Sequence, residues 1–263
     1  MIGRHFLVYS EQAPRIKRQY TICSSMNADI TSALLSLAAK VCDNTEAQFD
    51  EKLFMGQDQS SIDLTLKTYD KPKGLATRIH NTKVAEKNSA VVPAELPTVG
   101  ESYYIKGPMG RGLQLQPSGD HVAFCAGTGV LVFLDLVAQL LMVNAFQAEG
   151  KALPEEMQYF QPGFKLHLYV AFQSRQQSIG LDLIEALVRV NEKLGLDNFK
   201  LTLRLSESEG KKLPRWTEEW IKTEMEPLAG KIQKIWVCGP PVMNELFDKT
   251  LEKITKQLQI ERH

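Results

Sequence analysis

The chain has 263 residues, of which 43% are hydrophobic and 24% are charged, a composition typical of a folded protein with room for two domains. Lys and Arg together number 31, as do Asp and Glu, so the formal net charge is zero. A chain without net positive charge lacks the field that attracts nucleic acids or anionic membranes, and nucleic-acid binding is therefore disfavoured.

The first third of the sequence predicts β-structure with a helical interruption. The predicted elements are strands over 3–10 and 18–24, a helix over 29–41, a polar loop to about residue 61, a strand over 62–69, a strand over 102–106 and a turn-rich hinge over 107–112 (GPMGRG). Residues 62–69 (IDLTLKTY) alternate apolar and polar side chains, which is typical of a half-buried strand.

After the hinge, predicted strands and helices alternate, which indicates a parallel sheet covered by helices. The strands are predicted over 121–126, 165–172, 199–205 and 232–238, and the helices over 130–146, 178–194, 215–225 and 242–259. The predicted fold is thus a β domain (1–112) followed by an α/β domain (113–263).

An apolar run over 122–146 has the composition of a membrane span, with Asp135 as its single charge. Gly127 and Gly129 divide the run into a short strand and a longer helix, so we predict a strand, a glycine turn and a buried helix, and no transmembrane segment. Asp135 is predicted to face solvent or to cap a neighbouring element.

The four cysteines show no C-x-x-C spacing, which argues against a zinc site or an iron–sulfur cluster held by this chain. They are Cys23, Cys42, Cys125 and Cys238. We therefore expect no metal, and reduced thiols in a reducing intracellular compartment, which is the cytoplasm or a membrane surface reached through a missing region or a partner.

The first of four short motifs is RQYTICS at 18–24. An Arg fork matches two phosphate oxygens, and the aromatic residue two positions later lies on the same side of a strand, where it can cover a flat ring. A hydroxyl beside it can hydrogen-bond a flavin ring. An ordinary strand with an exposed Arg18 and a packed Tyr20 is the alternative.

The second motif joins LKTY at 66–69 to GLAT at 74–77. Glycine allows a backbone to approach a phosphate closely, and a helix that begins here offers free N–H groups. The commoner explanation of this pattern is a Thr helix cap after a glycine turn.

The third and fourth motifs follow strands of the α/β half. CAGTGV at 125–130 is a strand-to-helix glycine turn, the place where parallel sheets bind dinucleotides, although Val132 replaces the third glycine of the usual G-x-G-x-x-G pattern. CGPPVM at 238–243 is a rigid turn that leaves a thiol at the sheet edge, or else a plain strand-ending turn.

Taken together, RxYTxxS, LKxY with GxxT, GPxG, GTG and CGPPxM resemble the ferredoxin–NADP reductase superfamily, in its order and nearest to its cytochrome-b5-reductase and nitrate-reductase branch. The resemblance implies an antiparallel FAD-binding β-barrel followed by a Rossmann-like NAD(P)-binding domain. It also implies a flavoprotein that passes hydride from NADH or NADPH to FAD and then electrons to a one-electron acceptor, such as a haem protein or a fused haem domain.

The resemblance assigns roles to individual residues. The residues implied to contact FAD are Arg18, Tyr20, Thr21, Ser24, Lys67, Tyr69, Gly74, Leu75, Ala76 and Thr77. Those implied to hold the nicotinamide nucleotide are Gly127, Thr128, Gly129, Cys238, Gly239, Pro240, Pro241 and Met243. Thr21 and Cys238 are implied to lie beside the path of the hydride.

The sequence departs from the family in three places. Only one strand precedes RxYT, so the first strands of the barrel are missing, and either the chain is a fragment, which we favour, or another chain completes the barrel. Val132 stands where relatives carry a proline after GTG. Residues 27–61 form a long connection, which the resemblance would place near the FAD adenine as a lid or a partner surface.

Cofactor preference is read from two positions. Ser174–Arg175 is a candidate to meet a 2′-phosphate, whereas the acidic Glu207 after Ser206 would repel it and accept ribose hydroxyls, so NADH is expected over NADPH. A contrasting hypothesis is an accessory subunit that keeps the reductase fold without turnover, which the missing strands and Val132 favour.

Overall fold

The computed structural model describes residues 2–11, 14–45, 64–67, 74–81, 102–208, 211–212 and 216–258. Within these ranges the chain forms an antiparallel sheet from the first part of the sequence and a parallel sheet from the second. This is the predicted combination of a β-sheet unit and an α/β unit.

The antiparallel sheet has the strand order β2-β1-β3 among the described residues. Its strands are β1 (His5–Ser10), β2 (Lys17–Thr21) and β3 (Tyr103–Met109). The predicted hinge was wrong over residues 107–109, because β3 continues through them and Met109 pairs with His5. A register shift in β1 and a φ of 146° at Gly107, which glycine adopts easily, carry the strand through this stretch.

The parallel sheet alternates strands and helices, as predicted from the sequence. Its elements are β4 (Gly119–Ala126), α3 (Leu131–Ala148), β5 (Phe164–Phe172), α4 (Leu181–Leu194), β6 (Phe199–Leu205), α5 (Glu218–Met225), β9 (Ile232–Cys238) and α6 (Pro241–Leu258). The strand order is β6-β5-β4-β9, and two short strands, β7 (Glu207–Ser208) and β8 (Lys211–Lys212), pair with each other.

Successive residues of β4 face two different hydrophobic clusters, because side chains alternate across a strand. Ala123 and Cys125 pack with α3 and α4 on one side, whereas Val122 and Phe124 pack with α5 and α6 on the other. Both faces of the sheet are therefore covered, which explains why β4 is nearly all apolar rather than alternating.

Helix α3 is the apolar segment that resembles a membrane span. Within the described residues, Gly127–Ala148 is the helical segment long and apolar enough to cross a membrane, and 89% of its most apolar window is buried inside the protein. The structure therefore accounts for its hydrophobicity by core packing.

Helix α1 (Ala28–Asp43) confirms the helix predicted over 29–41 and occupies a place that the sequence did not predict. Asn27 caps it, accepting a hydrogen bond from the N–H of Asp29 at 3.0 Å. Leu34 and Leu37 are buried in the cluster that contains α3 and α4, so α1 lies on the helices of the parallel sheet. This part of the 27–61 connection is thus core structure rather than a lid.

Two local predictions differ from the structure. Residues 64–67 have no regular secondary structure, although a strand was predicted over 62–69. Alternation alone does not make a strand, since a strand also needs a hydrogen-bonded neighbour, and this segment pairs with none of the described strands. Helix α2 (Leu75–Asn81) begins directly after Gly74, so Thr77 lies inside the helix and does not cap it.

Candidate functional site

The carboxyl ends of β4 and β9 lie side by side where the order of the parallel strands reverses. From β4 the chain adds β5 and β6 on one side and then returns to add β9 on the other. Cys125 at the end of β4 pairs with Cys238 at the end of β9. In open α/β sheets such a reversal leaves a crevice at the carboxyl ends of the strands, and nucleotides bind there. The GTG and CGPP motifs, which are far apart in sequence, thus meet at one crevice.

Gly129 lies directly against the backbone of β9. A Cβ atom placed on it would be 2.0 Å from the carbonyl oxygen of Cys238 and 3.3 Å from its Sγ. Real Cβ atoms essentially never approach backbone within 3.0 Å. Glycine is therefore required at this position for space, and it allows the two motifs to touch.

The turn before α3 is a helical start without a side-chain cap. Residues Gly127–Val130 form one 3-10 turn, and neither Ala126 before this turn nor Val130 before α3 makes a side-chain cap hydrogen bond. A Cβ on Gly127, whose φ is 54°, would meet nothing within 4 Å, so the space beside it is open. N–H groups at a helix start carry partial positive charge and can bind a phosphate. The contacts of Gly127 and Thr128 with nucleotide phosphates stay predictions.

The turn after β9 is held close to the sheet. A Cβ on Gly239 would lie 2.5 Å from the Sδ of Met243, whose side chain is buried, whereas Pro240 and Pro241 are exposed. The Cys238 side chain is partly buried, and burial raises the pKa of its thiol. A protonated thiol is a poor nucleophile, so Cys238 suits a positional role in the crevice better than a covalent one.

Arg18 and Tyr20 lie on the edge strand β2 and act on each other electrostatically. The Arg18 side chain is exposed, and its Nη1 donates a hydrogen bond to the Lys17 carbonyl at 2.8 Å. Burial raises the pKa of Tyr20, and the charge of Arg18 offsets part of that rise. Arg18 and Tyr20 thus lie close enough to interact, and Thr21 follows in the strand opposite His5. The FAD contacts of these three residues stay predictions.

The LKxY and GxxT residues are described only in part. Lys67 is exposed in a segment without regular structure, and Tyr69 lies outside the described residues. Gly74 immediately precedes α2, as predicted for a helix start, and Leu75 is 2% exposed, so its side chain belongs to the core. The flavin contacts of Gly74, Leu75, Ala76 and Thr77 stay predictions.

The end of the RQYTICS segment contacts the helix that follows GTG. The Oδ1 atom of Asp135 on α3 accepts the N–H of Ser25 at 2.8 Å, and its Oδ2 atom accepts the N–H of Ser24 at 3.2 Å. Burial raises the pKa of Asp135, and these N–H donors work against the rise. Of the two environments predicted for Asp135, capping a neighbouring element is confirmed. Its partner, 110 residues away, was beyond prediction.

A second connection joins the two sheets through residues 110–113. The N–H of Leu113 donates to the carbonyl of Ile2 at 3.1 Å, and the indole Nε1 of Trp236 on β9 donates to the carbonyl of Leu113 at 3.1 Å. A Cβ on Gly112 would lie 2.6 Å from the carbonyl oxygen of Ile2. Sequence analysis missed Trp236, since an indole in a strand gives no indication of a distant backbone partner.

The candidate 2′-phosphate ligand is paired within the described chain. Arg175 forms an ion pair with Glu185 of α4, and Ser206 Oγ donates to the Gln173 carbonyl at 3.4 Å. The Arg175 side chain is 58% exposed, so it remains accessible to solvent. A carboxylate already beside Arg175 makes it a weaker site for a 2′-phosphate than an unpaired guanidinium would be.

Solved structures with the same arrangement of sheets and helices are flavoprotein reductases. They include the cytochrome b5 reductase domain of Ulva prolifera nitrate reductase (TM-score 0.54, 14% identity, covering 99% of this chain and 82% of that one). They also include the CS-b5R domains of human Ncb5or in the NAD+ form (TM-score 0.57, 14% identity, covering 97% of this chain and 57% of that one). A third is the ferredoxin–NADP+ reductase of Plasmodium falciparum (TM-score 0.54, 12% identity, covering 98% of this chain and 80% of that one).

The sequence matches no protein-family model and no curated protein. At 12–14% identity the likeness to these structures defines the fold, and it extends over at least 97% of the chain. The order of the two sheets, the strand reversal at β4 and the glycine turn before α3 agree with it. The chain therefore has the two-domain fold of the ferredoxin–NADP reductase superfamily.

Proposed function

We propose that this protein is an FAD-dependent oxidoreductase that takes hydride from NADH and passes electrons to a one-electron acceptor. The observation that carries the proposal is the meeting of GTG and CGPP at the strand reversal between β4 and β9, with Gly129 packed against the Cys238 backbone. A crevice of this kind binds nucleotides in parallel sheets, and the fold is that of known reductases.

The residues present fit the two cofactors. The glycine turn at Gly127–Val130, with open space beside Gly127, suits the diphosphate of a nicotinamide nucleotide. On the other sheet the exposed fork of Arg18 suits the pyrophosphate of FAD, and Tyr20 beside it suits a flat ring. Thr21 would supply a hydroxyl to the ring system. When bound, FAD supplies the chemistry that converts hydride transfer into single-electron steps.

The role proposed for Cys238 is to position the nicotinamide. Its backbone is packed against Gly129, and the Gly239–Pro241 turn after it is held by buried Met243, so the thiol is fixed at the crevice. A thiol kept protonated by burial contributes shape and contact rather than nucleophilic attack. Correct placement of the ring is where the protein adds to the rate, because an error of about 1 Å can cost on the order of a hundredfold.

NADH is proposed over NADPH because Arg175, the nearest sequence candidate for a 2′-phosphate, is paired with Glu185. The acceptor is proposed to be a haem protein or a fused haem domain, by analogy with the cytochrome b5 reductase domain that shares this fold. A second chain is proposed to contribute to the flavin-binding barrel.

Replacement of Cys238 by Ser tests the function and the hydride site together. We expect stopped-flow reduction of the bound flavin by NADH to slow about 10- to 100-fold in C238S, because the nicotinamide loses its fixed neighbour. FAD content and circular dichroism should stay unchanged. Cys42→Ser on α1, away from the crevice, is the matched control and should be reduced at the wild-type rate.

Two outcomes would contradict the proposal in different ways. An unchanged rate in C238S would show that the hydride site lies elsewhere. A wild-type protein whose flavin is reduced by neither NADH nor NADPH would refute the reductase function and favour an accessory subunit that keeps the fold, to which Val132 in place of the usual proline also points.

A further inference from the structure

Asp135 is a charged side chain in an otherwise apolar helix. It is the single charged residue of α3, whose 18 residues include 13 that are buried. A carboxylate placed in such surroundings loses hydration, and this loss must be offset by good hydrogen bonds. Both of its oxygens are so engaged, by the consecutive N–H groups of Ser24 and Ser25 at 3.2 and 2.8 Å.

The two N–H groups belong to the segment that directly follows the proposed flavin strand. Ile22 still continues the β-ladder, since its N–H donates to the Arg4 carbonyl at 2.9 Å. Cys23 is 3% exposed and packs in the cluster that contains α3. Ser24–Met26 then form a 3-10 turn whose first N–H groups point to Asp135. The end of β2 is thus attached to α3 within three residues of Thr21.

The proposed nucleotide turn, Gly127–Val130, directly precedes α3 and lies at the same end of the helix as Asp135. Asp135 follows Gly129 by six residues, which is about 9 Å along a helix that rises about 1.5 Å per residue. Residues of the helix and of the turn before it are packed in the same buried cluster, which leaves little room for one to shift without the other. A group that anchors residues 24–25 to α3 therefore sets the distance between the two proposed cofactor-binding motifs.

The chain beyond Ser25 supports this anchor. Thr31 Oγ1 donates to the Ser25 carbonyl at 2.5 Å, and Asn27 caps α1. Helix α1 then packs on α3 and α4, and near its far end Lys40 pairs with Glu149 at 2.7 Å. The segment after β2 is therefore held against the nucleotide-binding half at two separate places along α1.

We propose that Asp135 is a positioning residue that holds the end of the flavin-binding strand against the nucleotide-binding helix and so fixes the spacing of the two rings. The inference rests on the proposed function, because a spacing between rings matters only if hydride passes between them. Asp135 holds this segment through the backbone N–H groups of Ser24 and Ser25, and it also contacts the side chains of Cys23 and Ser25.

The test compares Asp135→Asn with the wild-type protein carrying FAD. The amide keeps one acceptor and turns an NH2 group towards a backbone N–H, so one of the two contacts is lost. Hydrogen exchange should become at least about tenfold faster at Ser24 and Ser25, in line with the loss of a hydrogen bond to a charged group. Flavin reduction at saturating NADH should slow about 10-fold or more, with the apparent Kd for NADH and the FAD content unchanged.

Tyr159→Phe is the matched control. The Tyr159 hydroxyl donates to Gln139 Oε1 at 2.7 Å, one turn further along the same helix, so this variant also removes a hydrogen bond from α3. It should leave both the exchange at residues 24–25 and the reduction rate as in wild type. Asp135→Ala, which removes both acceptors, should exceed the effect of D135N on both measurements.

Each result supports or overturns the inference. Exchange at Ser24 and Ser25 that is the same in D135N and wild type overturns it, as does faster exchange with an unchanged reduction rate. Failure of both D135N and D135A to fold would make Asp135 a stability residue and would also overturn it. If neither nucleotide reduces the wild-type flavin, the proposed function fails, and the exchange comparison alone decides whether Asp135 anchors the segment.

Discussion

Replacing Gly129 by Ala tests the close approach on which the candidate crevice depends. The added Cβ would lie 2.0 Å from a backbone oxygen of Cys238, so the turn before α3 and the end of β9 must separate by about 1 Å to reach even a tight contact. Overpacking of this kind costs about 1–3 kcal/mol, and backbone is less able to yield than a side chain. For a protein of this size that corresponds to a fall in Tm of about 2–4 °C per kcal/mol.

The same displacement should separate the nucleotide turn from Cys238, and NADH-dependent flavin reduction should fall by up to about a hundredfold. Gly163→Ala is the control, because Gly163 has a φ of 88° and open space around it and precedes β5 at the opposite end of the sheet. An alanine at position 163 in this left-handed conformation would cost about 1–2 kcal/mol and would leave the crevice unchanged. Urea unfolding and stopped-flow reduction measure both variants. A G129A protein with wild-type stability and rate would refute the packing of the turn before α3 against the end of β9.

Two further predictions concern the flavin strand and the core of the sheet. Arg18→Ala should weaken FAD retention by about 1.5–3 kcal/mol, measured by flavin release on dilution, because it removes a charge-assisted contact. Lys17→Ala is the control, because the Lys17 ammonium lies 5.4 Å from the Tyr9 ring centroid, and this variant should retain FAD as the wild type does. An equal loss of FAD in both variants would contradict the assignment of Arg18 to the FAD pyrophosphate. Burial lowers the pKa of His121, and its hydrogen bond with the Gly119 carbonyl offsets part of this. As the pH falls, His121 therefore gains its proton in the unfolded chain before it does so in the folded protein. The stability that neutral His121 contributes is fully present above its ordinary pKa near 6.5 and decreases below that pH, by at most about 1.4 kcal/mol per pH unit. The difference in unfolding free energy between the wild type and His121→Gln should therefore shrink as the pH falls from about 7 to about 5. A constant difference would show that His121 does not titrate in this way.

The parallel half of the molecule could be predicted in detail because its signals are local. Strands over 199–205 and 232–238 were predicted with the bounds that the structure has. Residues 199–205 alternate apolar and polar side chains, residues 232–238 are followed directly by a glycine turn, and the right-handed βαβ rule leaves few ways to assemble the strands. The GTG and CGPP motifs follow the strands β4 and β9, and carboxyl ends of parallel strands share one edge, so their meeting at a crevice also follows from local pattern.

The sequence alone was less informative where a residue's environment depends on a distant partner. Residues 64–67 alternate like a strand yet form none, and Gly107–Met109, which looks like a turn, extends β3 because β1 is there to pair with it. Backbone hydrogen bonding across strands is a tertiary property, so alternation or glycine content cannot decide it by itself.

Composition and pattern by themselves determined the two sheets, the buried character of α3 and the residues that form the nucleotide turn, because propensity, periodicity and glycine placement act within a few residues. Only the tertiary structure decided that α1 packs on α3 and α4 and that Asp135 binds the N–H groups of Ser24 and Ser25, about 110 residues away. A lone carboxylate in an apolar helix signals that a partner must exist, since its desolvation has to be offset. Which backbone supplies that partner depends on how the chain folds back on itself.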